Sequence, residues 1–151
     1  EESEPWRQKM VDCARRHLSA RTPYQWGGGR NLGDYGLAGS GLVLACAREA
    51  GMPSLGMNSD MMYQQLPSVI EPKPGDLALY GRTDRGSHVR IVESWDPVQK
   101  VAQCIGAEGG NNEVKTIEKA RKRGAFVKRV PHNNRSNFLG FRTLSTTKKK
   151  V

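Results

Sequence analysis

Apolar positions in the N-terminal half recur at helical spacing. Trp6, Met10, Cys13, Ala14 and Leu18 fall on one stripe, which predicts a helix over about Pro5 to Leu18. Ser3 is placed to cap it, and Pro5 suits the first turn, where its missing N–H has no helical partner anyway. The stretch from Ser19 to Leu37 holds Gly27-Gly28-Gly29, Gly33 and Gly36 and reads as a loop able to turn sharply. Leu42, Val43, Cys46, Ala47 and Ala50 then mark a second helix from about Ser40 to Ala50, closed by Gly51. Ser59 is expected to cap a short third helix carrying Met61, Met62 and Leu66.

After the rigid turn Pro72-Lys73-Pro74-Gly75-Asp76 the period changes to two. Leu77 to Tyr80 and His88 to Glu93 read as strands. In the second, Val89 and Ile91 face one way and His88, Arg90 and Val92 the other. Val101 to Ile105, Ala125 to Val130 and Phe138 to Arg142 supply three more, interrupted by a short helix near Ile117 to Lys122. Helices first and strands after predict an α+β fold, with N-terminal helices packed on an antiparallel sheet.

A chain of 151 residues suits one domain spanning 1–151, with a basic frayed tail from about 144. Its 36% hydrophobic content allows a core and excludes a disordered chain. The longest apolar stretch, Gly41 to Ala47, is far short of the roughly 20 residues a membrane helix needs. The opening Glu1-Glu2-Ser3-Glu4 is the reverse of a basic leader region, so a signal peptide is expected to be absent or already removed. The three cysteines lack the paired spacing of a disulfide framework, and no C-x-x-C points to zinc. Cys13 and Cys46 therefore read as small buried hydrophobes. No metal or cofactor is implied.

Charge is uneven. From Lys115 to Lys150 twelve Lys and Arg stand against the single acid Glu118, a net of +11, so the total of +9 leaves −2 for the rest. A basic C-terminal third suits an anionic partner. Nucleic acid is the less favoured of these, because no reader motif is present and aromatics are sparse among the charges.

Four segments, in order, resemble the NlpC/P60 cysteine peptidases, which are near the CHAP amidases and have a papain-like fold. Pro23-Tyr24-Gln25-Trp26-Gly27-Gly28 is similar to the aromatic loop ahead of their active site. Gly36-Leu37-Ala38-Gly39-Ser40-Gly41-Leu42-Val43 lies where the family has Asp-Cys-Ser-Gly-Leu-Val. Lys73-Pro74-Gly75-Asp76-Leu77 resembles its Pro-Gly-Asp-Leu turn, and Ser87-His88-Val89-Arg90-Ile91-Val92 its His-Val-Gly-Ile strand. Ile105-Gly106-Ala107-Glu108-Gly109-Gly110 and Phe126-Val127-Lys128-Arg129-Val130 are similar to strands of phage-associated members. The likeness covers about Leu18 to Thr143.

The resemblance implies a thiol at a helix start, where the dipole and unpaired N–H groups favour the thiolate, and a histidine base opposite. It places Gly39 at the nucleophile position, Ala38 where Asp is usual and His88 at the general base. The third member falls to Gln103, with Glu108 as the alternative. Ser40 matches the family's own Ser, and Cys46, about 10 Å into the helix, is too deep to serve. Tyr24, Trp26, Ala38, Ser40 and Arg90 are the expected substrate-binding residues, Arg90 partly filling the cleft beside His88 or else reaching solvent at the sheet edge. The implied function is a hydrolase of peptidoglycan stem peptides that lacks its nucleophile. The alternative is a non-catalytic module binding a cell-wall peptide or a protein. The implied partners are stem peptides or an anionic wall polymer, with the chain a monomer in the cell envelope, secreted, or phage-associated.

Overall fold

The computed structural model describes residues 4–28, 36–52, 58–82, 85–111 and 113–145, with only the backbone given at 85 and 86. Ser3, Gly29, Gly33 and Lys148-Lys149-Lys150 lie outside these. Helix α1 (Pro5–Ala20) buries Met10, Val11, Cys13 and Ala14, with Trp6 and Leu18 packed at the margins. Glu4 occupies the N-cap position without capping through its side chain, and its carboxylate pairs with Arg7 instead. Helix α2 (Gly39–Glu49) buries Leu42, Val43, Leu44, Cys46 and Ala47, and Ala50 and Gly51 end it. Helix α3 (Ser59–Gln65) begins at the residue expected from sequence to be its cap. Asn58, not Ser59, is the cap, its side chain accepting from the Met61 N–H at 2.8 Å.

Six strands form one sheet: β1 (Ser68–Val69), β2 (Leu77–Arg82), β3 (Arg85–Asp96), β4 (Val101–Glu108), β5 (Phe126–Pro131) and β6 (Phe138–Arg142). The order is β1-β6-β2-β3-β4-β5 and every pairing between them is antiparallel. Helix α4 (Ile117–Arg123) links β4 to β5, held by the Thr116 cap and by Gly124 at its left-handed end. The α+β architecture expected from the periodicity is therefore present. β1 escaped the sequence reading because two residues carry no period.

Alternation divides the sheet into two faces. Leu77, Leu79, Val89, Ile91, Ile105, Ala107 and Val127 pack under α1 and α2. Ala78, Tyr80, Val92, Ala102, Cys104 and Phe141 point the other way, with Trp95 and Phe138. Each fully buried Leu or Ile contributes roughly 1.5–3 kcal/mol. His132, unassigned from sequence, is structural. Its Nδ1 accepts from the Ala102 N–H at 3.0 Å, and its ring packs on Phe138 and Phe141.

One expectation is corrected. Cys13 and Cys46 are buried as expected, but they form a disulfide with Cα atoms 5.5 Å apart, joining α1 to α2. Their separation of 33 residues carries no motif, so only the packing of the two helices reveals the pair. At the boundary expected for the basic tail, 144 and 145 are the last described residues. Leu144 packs on the core and Ser145 is buried, its hydroxyl donating to Glu4 at 2.8 Å.

Closing a loop of 33 residues should stabilise the fold by about 3–4 kcal/mol. The Cys13→Ala/Cys46→Ala variant should show that loss in urea unfolding. Thiol titration of the unreduced, denatured protein should find Cys104 alone. Three reactive thiols would contradict the pairing.

Candidate active site

The start of α2, the start of α3, the Tyr24–Gly27 segment and β3 meet around a cleft of about 550 Å³. Ala38, Gly39 and Ser40 come from α2, Asn58, Ser59 and Asp60 from α3, and Ser87 and His88 from β3. Tyr24 and Trp26 close one side, with Trp26 half exposed on the rim. No side chain caps the N-terminus of α2, where Ala38 is extended at φ −92°. That end presents its N–H groups and the positive end of the helix dipole toward the cleft.

His88 stands over this helix start. A Cβ placed on Gly39 would lie 2.8 Å from His88 Nδ1, 3.1 Å from its Cε1 and 3.3 Å from the Val89 carbonyl oxygen. The ring's other nitrogen, Nε2, is 2.8 Å from Glu108 Oε2. Burial pushes the Glu108 carboxyl up, but hydrogen bonds from His88 and Arg90 and their charges outweigh it and hold it at about 2. The carboxylate is therefore ionised at neutral pH and can only accept. Nε2 must then carry the proton, and in the neutral ring the Nδ1 lone pair points at Gly39.

Glu108, the alternative candidate, is thus the partner of His88, and Gln103 is not. Gln103 lies on the face of Ile105 and Ala107 and is exposed, whereas Glu108 shares the opposite face of β4 with Cys104 and Gly106. Gly106 makes the arrangement possible. A Cβ there would meet Glu108 Oε2 at 2.6 Å and Arg90 Cγ at 2.7 Å, so only glycine lets both side chains cross the strand.

Arg90 is corrected too. It shares the face of His88 as alternation predicts, yet it neither fills the cleft nor reaches solvent. Its residual exposure is 1%. Its Nε and Nη2 grip Glu108 at 2.8 Å each, and Nη1 donates to Asn134 at 2.7 Å and to the Tyr80 hydroxyl at 3.0 Å. The guanidinium also stacks over the Tyr80 ring at 4.6 Å. Arg90 is accordingly not among the residues that line the cleft. Of the remaining expected residues, Tyr24, Trp26, Ala38 and Ser40 all line the cleft, while Cys46 is locked in the disulfide. Asn58, Ser59, Asp60 and Ser87 were not foreseen. The α3 residues reach the cleft through the packing of α3 on β3, which leaves no local signature.

Glu108 has its carboxyl depressed in the fold, so its stabilisation is fully present above the ordinary value of 4.5 and is lost as pH falls from there toward 2. Glu108 should contribute a share of the stability that is constant above pH 5 and declines below it, by at most about 3 kcal/mol, beside the acid losses from Glu4 and Glu93 and the losses near pH 6 from His17 and His132. Glu108→Gln should make the acid slope shallower by that share. It should also cost about 3–5 kcal/mol at neutral pH by leaving buried Arg90 uncompensated. Urea midpoints between pH 3 and 7 measure both. An unchanged slope in the variant would contradict the assignment.

No family model matches the sequence, and no curated protein does. Solved structures do match. An NlpC/P60 family protein from Bacillus cereus ATCC 10987 superposes with a TM-score of 0.65 at 17% identity, covering 91% of this chain and 40% of that one. The NlpC/p60 domain of peptidoglycan hydrolase SagA gives 0.59 at 22% identity, covering 91% and 97%. The peptidoglycan hydrolase RipB from Mycobacterium tuberculosis gives 0.52 at 20%, covering 94% and 67%. The chain thus spans two-fifths of the Bacillus protein and nearly the whole SagA domain. The fold built by these helices and this sheet is that of the NlpC/P60 peptidoglycan hydrolases.

Proposed function

We propose that this chain is a peptidoglycan-peptide hydrolase domain whose nucleophile has been replaced by Gly39, leaving a cleft that holds a stem peptide without cutting it. One observation carries the reading: the Cβ direction of residue 39 meets His88 Nδ1 at 2.8 Å. A cysteine in that position would give its proton to Nδ1 and attack the amide carbonyl. The oxyanion would face the N–H groups of α2, and His88 would return the proton to the leaving amine. Water would then release the acyl group. His88, the Glu108 that fixes its tautomer, and the helix end all remain, but glycine has no atom to attack with.

A retained binding role is favoured by a second observation. His88 lies so close to Gly39 that any Cβ must push the ring aside, which suits a cleft settled around glycine. Tyr24 and half-exposed Trp26 supply the aromatic wall that anchors a peptide.

The test is the Ala38→Asp/Gly39→Cys protein against the original on purified peptidoglycan. The original is expected to sediment with the wall and release no stem peptides. The restored protein should release them at least about 10³-fold faster than the original. Cleavage by the original chain would overturn the reading. If the restored protein fails to cleave while the original still sediments, the chain is a binding module only.

A further inference from the structure

We propose that a second, cationic groove adjoins the cleft and binds the phosphates of an anionic wall polymer. A cavity of about 520 Å³ opens between the C-terminal end of α1 and α4, lined by Arg21, Pro23, Ile117, Arg121, Gly124 and Phe126 among others. Three arginines of the basic C-terminal third are committed elsewhere. Arg129 is bound to Glu93 at 2.6 and 2.9 Å, Arg142 to the Tyr63 carbonyl oxygen at 3.0 Å, and Arg123 faces Glu113 at 3.6 Å. Among the described residues, neither Arg21 nor Arg121 forms an ion pair with a carboxylate. Two guanidiniums lining one concavity, neither neutralised by a carboxylate, suit an anion in charge.

Arg21 sits at the C-cap of α1 with φ +52°, a left-handed conformation that glycine adopts with less strain. The guanidinium of Arg21 lies over the Phe126 ring at 4.4 Å, and the Lys128 ammonium lies 4.7 Å from the same ring centroid. Phe126, the aromatic of the groove, is thereby already engaged by two cations. A nucleobase would have to compete with these cations for the ring, so a phosphodiester polymer without bases fits better than nucleic acid.

The groove and the cleft share one wall. Pro23 bridges to Phe126 and Tyr24 to Leu37, and the Tyr24 N–H donates to the Ala125 carbonyl oxygen at 3.0 Å. Successive residues of an extended segment point to opposite sides. Pro23 accordingly lines the groove and Tyr24 the cleft. A peptide in the cleft and a phosphate chain in the groove would thus be held on either side of one short segment. The choice of a wall polymer rests on the reading of the cleft as a wall-peptide site; the anion site itself does not.

The probes are poly(glycerol phosphate) and a single-stranded oligodeoxynucleotide with the same number of phosphates, titrated calorimetrically into the intact chain. The variants are Arg21→Gly, which suits the left-handed backbone, and Arg121→Gln on the exposed face of α4. Poly(glycerol phosphate) should bind and weaken with added salt, and the double variant should bind at least about tenfold more weakly with an unchanged thermal midpoint. Absence of binding, or an unchanged affinity in the double variant, would overturn the groove. Equal or tighter binding of the oligonucleotide would overturn the choice of a base-free polymer. A synthetic stem peptide titrated in parallel separates the two readings. If it fails to bind while the polymer binds, the cleft reading falls and the groove stands.

Discussion

One carboxylate organises the cleft side of this molecule. Glu108 accepts from His88 on one oxygen and from Arg90 on both, at 2.8 Å throughout. A largely buried charge is tolerable only when it is paired and hydrogen-bonded. Arg90, itself 1% exposed, meets the same condition through Glu108, Tyr80 and Asn134. Neither residue could be buried without the other. Together they fix the ring of His88, and with it the direction of the lone pair that faces Gly39.

That constraint reaches outward into the fold. β3 and β4 must pair in register for His88, Arg90 and Glu108 to lie on one face, and Gly106 must lack a side chain for them to cross. The Tyr80 hydroxyl donates to the His132 carbonyl oxygen at 2.6 Å while receiving Arg90, which ties the network to the aromatic cluster on that face. On the other face, α1 and α2 are joined by the disulfide, and α2 is thereby held with its first turn against His88. The cleft is the place where the two faces come together at one end of the sheet.

The position of Glu108 also explains why Arg90 is compatible with an open cleft. A long cation beside a histidine would be expected to crowd the site. Here the guanidinium turns beneath the histidine toward Glu108 and away from the space bounded by Tyr24, Trp26 and Ser40. The cleft loses no volume to it, and its charge is cancelled at the carboxylate.

The sequence by itself determined the main helices and strands, because periods of 3.6 and 2 record which face of each element is buried. It also placed Gly39 at a helix start and His88 on the strand opposite, since both sit in short motifs whose order along the chain carries the information. Only the tertiary structure decided what lies across from these elements. The Cys13–Cys46 pair, the preference for Glu108 over Gln103, the burial of Arg90 and the entry of Asn58, Ser59 and Asp60 into the cleft all join residues far apart in the chain. Such contacts depend on register and packing, which no local pattern encodes. The strand that carries both Gln103 and Glu108 reads equally well for either. Which one meets His88 is fixed by the face each presents once β4 pairs with β3.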